Sequence, residues 1–148
     1  MEIKFEKFQG AGNDFIILDN RDSIYSYLNF EQIKTICNRN LGVGSDGLIL
    51  LESSIDSDFE MKYFNSDGTL SSLCGNGGRC IVAYAHKHGL IGIHTKFKAV
   101  DGFHEAQVIS NNQVRLKMND ISNIMHFDKA LVLDSGSPHY VEFNNDIS

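Results

Sequence analysis

The sequence predicts an α+β fold in which a curved, mostly antiparallel sheet wraps around one central helix. Three observations carry this expectation. Short apolar runs separated by turn residues recur along most of the chain, which is the pattern of strands. One segment, Gly75 to Gly89, breaks that pattern: Arg79, Cys80, Ile81, Val82, Ala83, Tyr84 and Ala85 run on without a turn residue to the stop His88-Gly89-Leu90. That segment is apolar on most sides, so it belongs inside the molecule and not on its surface.

In chain order, the alternation of "IKFEKF" (3–8) gives a first strand and "FIILDN" (15–20) a second, with the turn chemistry of "QGAGND" between them making a hairpin. In "NFEQIKTICNRNLG", Phe30, Ile33, Ile36 and Cys37 lie three and four apart, with Asn29 as N-cap and Gly42 beyond the last turn, so a short amphipathic helix follows. "GLILLE" (47–52) and "FEMKYFN" (59–65) read as strands and "NSDGT" as a turn; Asp46 and Asp67, each beside a glycine, are assigned to turns. After the central helix the strands return in "GIHTKFKAV", "FHEAQVI", "QVRLKM" and "KALVLDSG", with "SNNQ" as a hairpin signal. "SPHYVEFNNDIS" reads as a strand that runs into polar residues and stops, as if the chain were half of a larger unit.

A chain of 148 residues is near the size of one domain and buries roughly 70% of the surface its unfolded form exposes. Its composition, 42% hydrophobic and 22% charged with one proline, is that of an ordinary globular protein. The net charge of -6 and the lack of any basic run argue against nucleic acid as a partner. Apolar stretches such as "LILL" fall far below the ~20 residues of a membrane span, and "MEIKFEKFQG" lacks the flank and centre of a signal peptide, so a cytoplasmic protein is expected. Three cysteines, Cys37, Cys74 and Cys80, are an odd number and speak against a disulfide framework. On one helix Cys74 and Cys80 would stand about 9 Å apart along the axis, too far to bridge. Cys74, Cys80, His86 and His88 are not at zinc-ligand spacings, so no metal is expected.

The chemistry concentrates in "FNSDGTLSSLCGNGGRC" (64–80). If the helix starts at Gly75 or Asn76, Cys74 occupies its N-cap region, where free N–H groups and the positive end of the helix dipole lower a thiol's pKa from its free value near ~8.5. Without side chains at Gly75, Gly77 and Gly78, a small anion such as a carboxylate can approach those N–H groups. A thiolate beside a bound carboxylate can act as a base on the adjacent carbon or as a nucleophile. The competing reading makes Cys74 a small buried hydrophobe, the role assigned to Cys37 and Cys80 on apolar helix faces.

The same stretch resembles the first catalytic-cysteine motif of diaminopimelate epimerases. "KFQGAGNDFIILDN" and "GVGSDGLILLE" resemble the family's other two N-terminal blocks, in order and spacing, and "DSGSPHYV" is a fourth, weaker match. The resemblance implies a cofactor-independent isomerase, using neither pyridoxal phosphate nor metal, that converts LL- to meso-2,6-diaminopimelate for lysine and peptidoglycan synthesis. It implies two similar domains, each a curved sheet around a central helix, with the site between them. This chain, 1–148, is then the N-terminal domain, and its partner is its own C-terminal domain; a homodimer is left open. In the family one cysteine thiolate removes the α-proton while a second, as thiol, protonates the opposite face, a pairing that inversion requires. Cys74 matches the first of these. By position, Gly75 and Asn76 would bind the substrate's α-carboxylate, Asn13 and Asn65 its other polar end, and His139 in "SPHY" would tune thiol ionisation. The competing reading leaves Asn13 and Asn65 as turn caps and His139 as a satisfied histidine at a strand start.

Three departures from the family pattern stand out. Gly47 occupies a position that is often Gln in relatives and a ligand contact, so that contact is expected to be missing or water-mediated. Ser137 stands where some members have Asn. The second cysteine motif and a Glu-Arg ligand pair have no counterpart in these 148 residues. Two further readings remain: a related isomerase of the same fold acting on another carboxylate, and a non-catalytic binding module.

Overall fold

The computed structural model describes residues 2–111, 113–121, 123–135 and 138–144. The chain divides into two compact units, Met1–Lys117 and Met118–Ser148.

In the first unit β1 (Glu6–Gly10) and β2 (Asn13–Asp19) form the expected hairpin, with Gly10 opposite Asn13. Ala11 (φ 52°) and Gly12 (φ 89°) both take positive φ in the two-residue turn, the geometry that fits the twist of paired strands. α1 (Phe30–Cys37) opens on a capping box: Asn29 Oδ1 accepts from the Gln32 amide and Gln32 Oε1 accepts from the Asn29 amide, both at 3.0 Å. β3 (Gly47–Glu52), β4 (Phe59–Asn65) and the two-residue β5 (Leu70–Ser71) lead into α2 (Gly75–Lys87), which is followed by β6 (His94–Ala99), β7 (Gly102–Ser110) and β8 (Gln113–Leu116).

Among the described residues these strands make an eight-stranded sheet in the order β1-β2-β3-β4-β6-β7-β8, with β5 beside β4. Most neighbours are antiparallel, as expected, but β2–β3 and β4–β6 are parallel. A parallel pair needs a crossover connection, and α1 lies in the first and α2 in the second.

The two helices lie on opposite faces of the sheet. Phe15, Ile17, Ile49 and Leu51 share a core with Ile81, Val82 and Ala85 of α2, while Ile16, Leu18, Leu48 and Leu50 share one with Ile33 and Cys37 of α1. The uninterrupted apolar runs of β2 and β3 are the consequence of burial on both faces. α2 packs against β1 and β8, the two ends of the strand order, as well as strands between them, so the sheet curls around it into a half-barrel.

Close approach of α2 to the sheet depends on two of its glycines. A Cβ on Gly77 would lie 3.3 Å from Ile49 Cδ1 and 3.4 Å from Met61 Cε, and one on Gly78 would lie 3.0 Å from methyls of Leu73 and Leu116. Both glycines are buried. Their smallness serves packing, which corrects the expectation that they open the helix end to an anion; Gly75, partly exposed, keeps that possibility.

In the second unit β9 (Ile124–His126), β10 (Ala130–Asp134) and β11 (Pro138–Glu142) form an antiparallel sheet in the order β11-β10-β9. β10 and β11 match the last two expected strands, with Leu131 opposite Val141; β9 was not expected. Ser137 lies outside the described residues. Among the described residues no helix is long and apolar enough to cross a membrane.

Candidate active site at the N-terminus of α2

Cys74 is the N-cap of α2, in extended backbone (φ -89°, ψ 122°), and its side chain makes no capping hydrogen bond. Its carbonyl accepts the first helical bond, from the Gly78 amide at 2.7 Å. The N–H groups of the first turn are therefore left for something other than a capping side chain, and they face negative charge favourably. Just before it, the Leu73 amide donates to Asp101 Oδ1 at 3.3 Å, tying the entry of the helix to the β6–β7 turn.

All three thiols are free, and Cys74 is the partly exposed one. Burial pushes the Cys80 thiol up to about 11 and raises that of Cys37, so both are held in the protonated form near neutrality. Their expected structural role agrees with this placement.

Asn13, at the start of β2, reaches the first turn of α2: its Oδ1 accepts from Asn76 Nδ2 at 2.8 Å. The hairpin tip lies against the helix so closely that a Cβ on Gly10 would be 3.3 Å from both the Asn76 carbonyl oxygen and Cys80 Sγ. Asn13 Nδ2 in turn donates to Asp46 Oδ2 at 3.0 Å. Asp46 also accepts at Oδ1 from Arg39 (2.9 Å), and Arg39 and Lys7 both pair with Asp14 (2.7 and 2.8 Å). The Arg39 guanidinium, with Lys7 beside it, holds the Asp14 carboxyl well below the usual carboxylate range. Asp46 is lowered first by its bond from Asn13 and then by the Asp14 amide. Reading Asp46 as only a turn residue was too narrow; sequence reasoning passed over it because its partner is 33 positions away. Asp67 does serve a turn, accepting from the Thr69 amide and hydroxyl at 2.9 and 2.6 Å.

Asn65 ends β4 directly opposite Gly47, and Gly47 is opposite Phe15, two residues beyond Asn13. By strand alternation these positions share the face that α2 covers. Asn65 Nδ2 donates to Thr69 Oγ1 at 3.2 Å while its backbone closes the 65–69 turn, so the structure gives it the capping contacts of a turn residue. Gly47 is covered by a neighbour: a Cβ there would lie 2.5 Å from Tyr63 Cε2 and 3.1 Å from the Tyr63 hydroxyl. Burial, then the nearby Cys74 sulfur, pushes the Tyr63 phenol up to about 12. Thus Cys74, Gly75, Asn76 and Asn13 come together and Asn65 shares their sheet face. His139 belongs to the second unit, on β11 opposite Leu133, where its Nδ1 is 3.2 Å from Ser135 Oγ.

A thiol at a helix N-cap, with first-turn N–H groups that no N-cap side chain accepts from and two oriented amides beside it, is an arrangement that can receive a carboxylate next to a sulfur atom. A curled sheet around a central helix is a fold shared with several solved proteins. A Bacillus anthracis phenazine biosynthesis protein of the PhzF family matches with a TM-score of 0.65 at 17% identity, over 93% of this chain and 53% of that one. A hydroxyproline epimerase from Agrobacterium vitis matches with a TM-score of 0.60 at 11% identity, over 88% and 48%. These likenesses are of fold alone.

The family model for diaminopimelate epimerase matches residues 5–123, and the chain belongs to that family. It is 45% identical to the diaminopimelate epimerase of Flavobacterium psychrophilum over 146 residues, 99% of this chain and 57% of that one. It is 43% identical to that of Chlorobaculum tepidum over 145 residues, 93% and 56% respectively. The chain thus spans little more than half the length of these curated relatives.

Proposed function

We propose that the chain is the N-terminal half of a two-domain, cofactor-independent epimerase that interconverts LL- and meso-2,6-diaminopimelate, a cytoplasmic step of lysine and peptidoglycan precursor synthesis. The observation that carries this reading is the placement of Cys74, a partly exposed thiol at the N-cap of α2, in a chain of this family.

In this reading the substrate's α-carboxylate lies on the first turn of α2, against the N–H groups of Gly75 and Asn76. Cys74, as thiolate, takes the α-proton: the Cα–H bond breaks, an S–H bond forms, and the electron pair stays on the substrate. The helix end that already favours a carboxylate stabilises the further negative charge spreading into it. A second thiol, from the C-terminal half, gives its proton to the opposite face, which inverts the centre. Asn13 and Asn65 hold the far polar end of the substrate, and His139 tunes thiol ionisation.

Proton–deuterium exchange at the α-carbon of LL-diaminopimelate, catalysed by the full-length protein, tests this. Cys74→Ala is expected to lower the exchange rate by about 10²–10⁴-fold, the usual contribution of a positioned acid or base. Exchange that survives the substitution would refute the role of Cys74, and a wild-type protein without exchange would leave the binding-module reading.

A further inference from the structure

We propose that Asp46 is a positioning residue: its carboxylate decides which way round the amides of Asn13 and Asn76 stand, and so which group the first turn of α2 presents to a ligand. The chemical consequence rests on the reading of the site just given, whereas the orientation itself stands on geometry alone.

An ionised carboxylate only accepts hydrogen bonds, while an asparagine amide donates at one end and accepts at the other. Asp46 Oδ2, 3.0 Å from the Asn13 side chain, therefore requires Nδ2 of Asn13 on that side. Asn13 then turns Oδ1 the other way, toward Asn76, and that oxygen requires Nδ2 of Asn76 in its turn, at 2.8 Å. Reversing either amide sets oxygen against oxygen. One carboxylate thus orients two amides in series, across three segments far apart in sequence.

Asp46 can do this because it is itself held. Its Oδ1 accepts from Arg39 at 2.9 Å, and its Oδ2 also accepts from the Asp14 amide at 3.2 Å. Its own amide donates to the Asp14 carbonyl oxygen at 3.0 Å. Asp14 is locked by Arg39 and Lys7. Both oxygens of Asp46 are committed, so the carboxylate is not free to rotate away.

Asn76 is the second residue of α2, where an anionic ligand meets backbone N–H groups. With Nδ2 fixed toward Asn13, its second amide hydrogen stays available on that side for a carboxylate. The reversed amide would put a carbonyl oxygen there and repel it.

The test uses the full-length protein with its asparagine side chains labelled with nitrogen-15. In Asp46→Asn the side-chain amide hydrogens of Asn76 are expected to exchange with water about tenfold faster, as befits the loss of one hydrogen bond's constraint. Asn13→Ala removes the middle link but leaves Asp46 with Arg39 and Asp14, and should release Asn76 in the same way. The double variant Asp46→Asn/Asn13→Asp moves the carboxylate to the middle of the series, where it again accepts from Asn76, and should restore its protection. Unchanged Asn76 exchange in both single variants, or a double variant no better than Asp46→Asn, overturns the proposal. In the exchange reaction at the substrate's α-carbon, Asp46→Asn should lower kcat/KM about tenfold. If the wild-type protein shows no such reaction, the epimerase reading falls, and the amide signals still decide the role of Asp46.

Discussion

A methyl group on Gly47 would meet Tyr63 Cε2 at 2.5 Å and the Phe64 carbonyl oxygen at 2.7 Å. The Tyr63 ring and the Phe64 backbone therefore occupy the place where a side chain on residue 47 would start. Gly47→Ala should destabilise the protein by about 1–3 kcal/mol, the usual cost of overpacking, read as a lower urea midpoint with an unchanged slope. Tyr63→Ala made together with it should relieve the contacts with the ring and recover part of the loss, while the one with the Phe64 carbonyl oxygen remains. Cys74 was legible in the sequence because three glycines and an asparagine mark the helix entrance locally. The Asp46–Asn13–Asn76 series was not, because each link joins residues tens of positions apart, and the sequence around Asp46 carries only a turn signal.

Among the elements, α1 shows a signal written wholly in local sequence. Asn29 and Gln32 close a reciprocal pair of bonds at its start, and Asn29→Ala should cost about 1 kcal/mol of stability by chemical denaturation. α2 was equally readable from its glycine entrance and its His88-Gly89 stop, where Gly89 takes φ +67°. β3 and β4 begin and end where their apolar patterns do. What local pattern could not give is which strands are neighbours. The continuous runs of β2 and β3 record burial on both faces, but the two parallel pairings depend on where the helices cross. β5 and β9, two and three residues long, are too short to show a period.

At the scale of the whole molecule, several carboxylates share one direction of shift. Asp14 is lowered chiefly by Arg39, Asp19 by Arg21 and Glu6 by Lys87. A carboxyl whose folded pKa is depressed adds stability that is present above its unfolded pKa and is lost as pH falls through the folded value. The unfolded values are 3.8 for Asp and 4.5 for Glu. The melting temperature should therefore be insensitive to these groups from neutrality to about pH 5 and decline below about pH 4. Asp14→Asn should flatten that decline, and an unchanged acid limb would show that the Lys7–Asp14–Arg39 cluster contributes nothing to it. The bond from Asn76 to Asn13 spans 63 positions of sequence, against 38 between Phe59 and Phe97 in the widest strand pairing among the described residues. The wider contact is closed only after the chain has given up much of its freedom, so it belongs late in folding. During refolding from urea, the backbone dichroism should recover before the native rate of Cys74 alkylation does, and the interval between the two is the time the molecule spends as a formed sheet without its site.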